Sequence, residues 1–317
     1  MRGRCALVAV IACALAACSE SPPDAGAGGG GAGPAGSGGA GSTAETSSSA
    51  AEGTTSSTAT GTAAEGGGGG TGGGGGALEG ACASVSEVPP ELGLDPFYKK
   101  YVDASGIPVV SSERPPDAAL LRACSVVVRM LGLRDDVRLA MIENRTRVAV
   151  MAETEVTTDI PEHSDLYEAF PGTDWDTRAR GLGATPARPA SSCAEENVLC
   201  YPSDRYTGED ILVHEFSHAI AIMGIAFAEP TFNRELEEAF EGALAAGKWA
   251  NTYAATNKDE YWAEGVQDWF DTNIESIPGN GIHNEINTRA ELREYDRPLY
   301  DLIARYFADD AWRPSCP

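Results

Sequence analysis

His214-Glu215-Phe216-Ser217-His218 sets two imidazoles four residues apart, with a carboxylate directly after the first. Residues at that spacing share one face of a helix. Both rings can therefore present a nitrogen to a single Zn²⁺ at about 2.0–2.1 Å, while Glu215 stands where it can take a proton from water on the metal. The flanks favour a helix buried in a core: Asp210-Ile211-Leu212-Val213 leads in, Ala219-Ile220-Ala221-Ile222-Met223 follows, and Gly224 is a natural stop. The competing reading is a core helix with two hydrogen-bonded histidines and an incidental glutamate. Two of the chain's four histidines sit in this motif, and the expectation taken forward is a hydrolytic site with one zinc per chain.

A catalytic zinc takes three protein ligands and leaves the fourth position to water, so the motif needs a partner. Downstream, Glu260-Tyr261-Trp262-Ala263-Glu264 again places two carboxylates one helical turn apart. Spacing alone allows either glutamate to be the ligand. Such a pair is by default a solvated acidic face, but Tyr261, Trp262, Val266, Trp269 and Phe270 bring enough apolar surface to bury the helix, and buried carboxylates need partners.

The two motifs together, with Tyr253 and Asn257 ahead of the second, resemble those of gluzincin metallopeptidases, in particular the catalytic domain of anthrax lethal factor and the bacterial Pro-Pro endopeptidases. Those proteins carry HEFGH-type first motifs and EFFAE-like second motifs, with a tyrosine seven residues before the first glutamate of the second. Tyr253 stands seven residues before Glu260. The resemblance covers about residues 211 to 270. It implies zinc ligation by His214, His218 and Glu260, general-base chemistry by Glu215, a hydrogen bond from Tyr253 to the oxyanion, and Glu264 as the acceptor that orients a ligand histidine. It also implies an endopeptidase of zincin-like fold, with a small sheet over the active-site helix and a helical C-terminal lobe. Trp262 replaces the phenylalanine usual in the second motif, and Gly265-Val266-Gln267 has no counterpart, so neither the toxin's targets nor Pro-Pro specificity is carried over.

Elsewhere the pattern predicts an α+β order. Pro115-Pro116-Asp117 opens a helix to about Met130, striped by Leu120, Leu121, Cys124, Val127 and Val128. Val137 to Met141 and Arg147 to Met151 read as a hairpin around Glu143-Asn144-Arg145, continuing into Thr154 to Thr158. Glycines and five prolines between Pro161 and Gly208 predict a loop-rich stretch. Helices follow over 233–246, over 259–270 with Asn257 as N-cap, and over 288–307. His163 and His283, near Pro161 and Gly281, read as exposed loop histidines, His283 with a small claim as a substrate-side donor because it follows the second-motif helix closely.

At the N-terminus, Arg2 and Arg4 precede an apolar run from Cys5 to Ala17, long enough for a signal peptide and too short to span a bilayer. Leu15-Ala16-Ala17-Cys18 resembles a lipobox, which makes Cys18 the expected lipidated N-terminus after processing, over residues 1–18. The alternative is a freely secreted protein. Ser19 after the cysteine implies outer-membrane sorting if the source is Gram-negative. Residues 19–78 are Gly, Ala, Ser and Thr with little to bury, a tether of about 60 residues and roughly 40–45 Å r.m.s. span. Residues 79–317 are expected to form one metallopeptidase domain.

The formal net charge of −24 weighs against a nucleic-acid partner; the resemblance implies a peptide or protein substrate, and the membrane is met only through the lipid anchor. Of eight cysteines, Cys5, Cys13 and Cys18 belong to the leader. Cys82, Cys124, Cys193, Cys200 and Cys316 face an oxidising compartment, and Cys193 with Cys200 is the preferred bridge because it closes a short loop ahead of the motif helix. The C-x₂-C spacing of structural zinc is absent. From another class comes a competing function, a non-catalytic surface lipoprotein with a structural metal; the same site chemistry also allows a hydrolase of cell-wall peptide amides.

Overall fold

Five strands lie side by side in chain order: β1 Ser86–Glu87, β2 Lys100–Ala104, β3 Ile107–Ser111, β4 Arg147–Met151 and β5 Ala190–Ala194. This computed structural model describes residues 81–316. The expected signal peptide, Cys18 and the tether over 19–78 lie outside the described residues. Strands β1 to β3 pair antiparallel, whereas β3–β4 and β4–β5 pair parallel, with Val109 opposite Val148 and Val150 opposite Cys193. The parallel strands are covered on both faces, as such strands must be. Along β4, Val148 and Val150 enter the main core, and Ala149 and Met151 enter a smaller cluster with Tyr98, Val110 and Ile160.

The crossover from β3 to β4 runs through α1 (Asp117–Met130) and α2 (Asp135–Glu143). Here the expected hairpin is replaced by a helix. A strand through residues 137–141 would put Val137, Leu139 and Met141 on one face, but Val137 and Met141 are buried and Leu139 is 56% exposed. The i, i+4 pair serves the core, and Asp135 and Asp136 suit the first turn of a helix. Thr157–Asp159 forms a single 3₁₀ turn rather than a strand.

The stretch expected to be loop also contributes β5. Its sequence, Ala-Ser-Ser-Cys-Ala, carries no apolar alternation, yet all five residues are buried. The sheet is therefore completed late, after the helices of the crossover, and directly before the motif helix.

That helix, α3 (Ile211–Ala219), runs on through a π-helical stretch at Ile220–Ile225 to Ala228. Gly224 does not stop it. A Cβ at Gly224 would stand 2.6 Å from Val137 Cγ1 and 2.9 Å from Met141 Cγ, so the glycine marks where α2 packs against the continuing helix. The run Ile211–Ala228 is apolar enough to cross a membrane, but most of it is buried inside the protein, as befits a core helix.

The remainder is helical: α4 (Phe232–Ala245), α5 (Lys258–Trp269), α6 (Arg289–Tyr295) and α7 (Arg297–Ile303). The single helix expected over 288–307 breaks at Asp296. Its Oδ1 accepts from Leu299 N and caps α7, while Oδ2 accepts from Trp249 Nε1 and Tyr261 Oη, both at 2.8 Å. Pro298 fits the first turn of the new helix and not the interior of a continuous one. The fold is mixed α+β.

The cysteines pair as Cys82–Cys124 and Cys200–Cys316, with Cα separations of 5.6 and 5.7 Å. The expected Cys193–Cys200 bridge is wrong. Cys193 points from β5 into the main core, whereas Cys200 is exposed beyond the next helical turn and meets the C-terminal segment. Two disulfides suit an oxidising, exported setting. Peptide mapping without reduction should recover these two linked pairs, and Cys193 should react with an alkylating reagent only after denaturation. Ready labelling of Cys193 in the folded protein would contradict this arrangement.

His163 is likewise not exposed. Its ring is fully buried, with Nε2 3.3 Å from Ala190 O, and burial is the main cause that holds its pKa down at about 4. The unfolded chain, where the imidazole titrates near 6.5, therefore binds the proton better. His163 costs no stability above about pH 6.5 and progressively more as pH falls toward 4, reaching about 3 kcal/mol there. Urea unfolding should show the pH 7 to pH 4 loss of stability reduced by about that amount in His163→Gln, and an unchanged loss would contradict the burial argument.

Candidate metal centre

Both helices that carry the motifs are held at their N-termini by side chains. Asp210 caps α3, its Oδ1 accepting from Val213 N at 3.1 Å, and its other oxygen is 3.3 Å from Arg122 Nη2. Asn197 Oδ1 accepts from Ile211 N at 2.9 Å. Asn257 caps α5 as the sequence predicts, accepting from Asp259 N and Glu260 N at 2.8 and 3.0 Å. The helices are joined by Trp262, whose Nε1 donates to Ser217 O at 3.0 Å.

This crossing brings His214, His218 and Glu260 together, all buried, with one ligand atom from each lying within 4.8 Å of the others. His214 Nε2 is 3.1 Å from Glu260 Oε2, His218 Nε2 is 3.4 Å from the same oxygen, and the two Nε2 atoms are 3.3 Å apart. Ligands in a tetrahedron with bonds of 2.0–2.1 Å stand about 3.3–3.4 Å from one another. The three atoms thus already have the spacing of one face of such a tetrahedron. Two nitrogens and a carboxylate oxygen are the donor set zinc favours, so the residues present fit a metal of that kind.

Charge reinforces the fit. Burial disfavours a proton on His214, but the hydrogen bond to Glu260 and the charges of Glu215, Glu260 and Glu264 outweigh it and hold the metal-free imidazole at about 10. Burial likewise opposes ionisation of Glu260, yet the neighbouring charge of His218 and hydrogen bonds from both histidines bring it to about 2. A carboxylate this deep stays ionised only beside positive charge, which the protonated imidazoles supply here and a divalent ion would supply in their place on displacing their protons.

Glu215 is 4% exposed and lines a cavity of about 500 Å³ together with His214, Tyr253 and Glu264. Tyr253 sits in a single 3₁₀ turn, its backbone N donating to Ile282 O at 2.8 Å, with its ring centroid 6.3 Å from that of His214. Glu264 Oε1 is 3.6 Å from His214 Nδ1, but the nearer acceptor is Gln267 Oε1 at 2.8 Å. Glu264 instead receives Asn273 Nδ2 at 3.1 Å. Gln267 escaped the sequence reading, although it lies seven residues after Glu260 and so continues the same helical stripe.

His283 is 7% exposed, contrary to expectation, and lines the same cavity with Nε2 3.5 Å from Glu209 Oε1. The glycine at 281 marks a turn that folds the histidine inward. The segment Gly181-Leu182-Gly183 was also unforeseen as a site element. Leu182 bridges Ser192 of β5 in antiparallel fashion, Ser192 N donating to Leu182 O at 2.8 Å. Leu182 is the one residue of this segment bridged to β5; Gly181 is buried and Gly183 partly so. A Cβ at Gly181 would lie 2.7 Å from Ile211 Cγ2, and one at Gly183 2.7 Å from His218 Cβ; only glycine lets this backbone rest on α3.

No protein-family model, curated protein or solved structure matches the chain.

Glu260 Oε2 touches both histidines and Glu264 does not close the triangle. Zinc should be lost from Glu260→Ala on mild dialysis and retained by Glu264→Ala, as metal analysis of the purified variants would show. The reverse order would move the third ligand to Glu264.

Proposed function

We propose that this chain is a zinc-dependent endopeptidase of gluzincin type and zincin-like fold. The observation that carries the reading is the three-sided donor set with Glu215 beside it at the wall of a cavity. A purely structural zinc is closed by a fourth protein ligand, and among the described residues the group consists of three. A zinc ion held by His214, His218 and Glu260 would supply Lewis acidity and lower the pKa of water toward neutrality.

The protein's own groups divide the remaining work. Glu215 accepts a proton from the water whose oxygen bonds to the scissile carbonyl carbon, then delivers it to the amide nitrogen as the C–N bond breaks. Tyr253 donates a hydrogen bond to the carbonyl oxygen as it gains negative charge, an interaction strongest in the transition state. Gly181 lines the cavity and its segment is bridged to β5 through Leu182, so an extended peptide lying in the cavity would run beside existing sheet backbone. That favours a polypeptide over a small amide as substrate. The leader read from the sequence would place this domain on the bacterial cell envelope, anchored through Cys18 at the end of its tether, and the two disulfides support export.

Digestion of a peptide library with and without a chelator is the direct test, and absence of chelator-sensitive cleavage would reject the enzyme. Within it, Glu215→Gln keeps the shape of the site but removes the proton acceptor. Hydrolysis should fall by at least about 10²-fold while zinc stays near one per chain. Full activity in that variant would eliminate Glu215 as the base.

A further inference from the structure

We infer that Gln267 is the positioning residue that fixes His214 for the metal, and that it does so as a neutral amide where a carboxylate would overload the site with negative charge. The inference rests on the metal-site reading above. For His214 Nε2 to offer its lone pair, the ring must carry its hydrogen on Nδ1, and that hydrogen needs an acceptor. Gln267 Oε1 stands 2.8 Å from Nδ1. Glu264, the other group within reach, is 3.6 Å away and its second oxygen is taken by Asn273.

Packing alone does not account for an amide here. Gln267 is completely buried, and its Nε2 has no hydrogen-bond partner among the described residues. An unsatisfied buried donor is destabilising, and leucine or methionine would fill the same space without it. The amide is explained if its oxygen is needed. Glutamate would provide the oxygen too, but Glu215, Glu260, Glu264 and Asp268 are already buried in and around this crossing of α3 and α5. One divalent ion balances two of those charges, and a fifth carboxylate would add to an uncompensated buried excess. A neutral acceptor orients the histidine while donating less electron density through it, leaving the metal the stronger Lewis acid.

Zinc affinity of the full chain, measured by competition with a chromogenic chelator, separates these roles. Gln267→Leu should bind zinc about 10–100-fold more weakly than wild type. Gln267→Glu should bind at least as tightly as wild type but hydrolyse peptide more slowly, and its cobalt(II) form should keep the visible absorption of the wild type, which the leucine variant should alter. Equal zinc affinity in wild type and Gln267→Leu would overturn the positioning role and leave the metal site standing. A glutamate variant that binds no better than the leucine one, or that hydrolyses peptide faster than wild type, would overturn it as well. Should the leucine variant not fold, Gln267→Met answers the same question. A wild-type chain that takes up no zinc would overturn the site itself.

Discussion

A carboxylate with no exposure to water, Glu260, stands 3.1 and 3.4 Å from two buried imidazole nitrogens, and this pairing constrains everything around it. Removing one partner from such a cluster leaves an uncompensated buried charge, typically at a cost of about 3–5 kcal/mol. The fold therefore has to hold the crossing of α3 and α5 firmly. Capping at both helix starts, the Trp262 to Ser217 hydrogen bond and an aromatic group of Trp262 with Phe232, Tyr306 and Phe307 serve that end. The crossing is polar within and aromatic behind.

Much of this was readable in the residues themselves. The i, i+4 spacing in each motif gave one face per helix, the Asn257 cap set the start of α5, and the apolar flanks of the two motifs demanded burial. Those are local signals, carried by helix geometry. What failed depended on distant partners. Residues 137–141 suit a strand or a helix equally by composition, and only burial of Val137 and Met141 with exposure of Leu139 decides between them. Strand β5 is small and polar yet wholly buried, between β4, the bridge from Leu182 and α3, so no alternation betrays it. The disulfides join residues 42 and 116 positions apart, which sequence proximity cannot suggest.

The same distinction runs through the site. Glu260 was placed by a resemblance in spacing, and the geometry gives that spacing a reason, since its Oε2 reaches both rings. Gln267 was passed over because glutamine is an ordinary surface residue, and its meaning lies in what stands opposite, the Nδ1 of His214. His163 and His283 were misread for a related reason. A nearby proline or glycine reports a turn, and a turn can fold a side chain inward as readily as outward.

Gly181 and Gly183 carry a consequence for how these molecules behave in company. An open sheet edge invites another copy's strand, and proteins usually blunt it with a lysine, a proline or a bulky charge. At these two positions any side chain would collide with α3, so that protection is denied to them. The deterrent has to act from afar, and a net charge of −24 provides it: two copies repel as whole bodies before their edges can meet. The acidity thus guards against self-association where no side chain can, and the protection weakens as salt screens it.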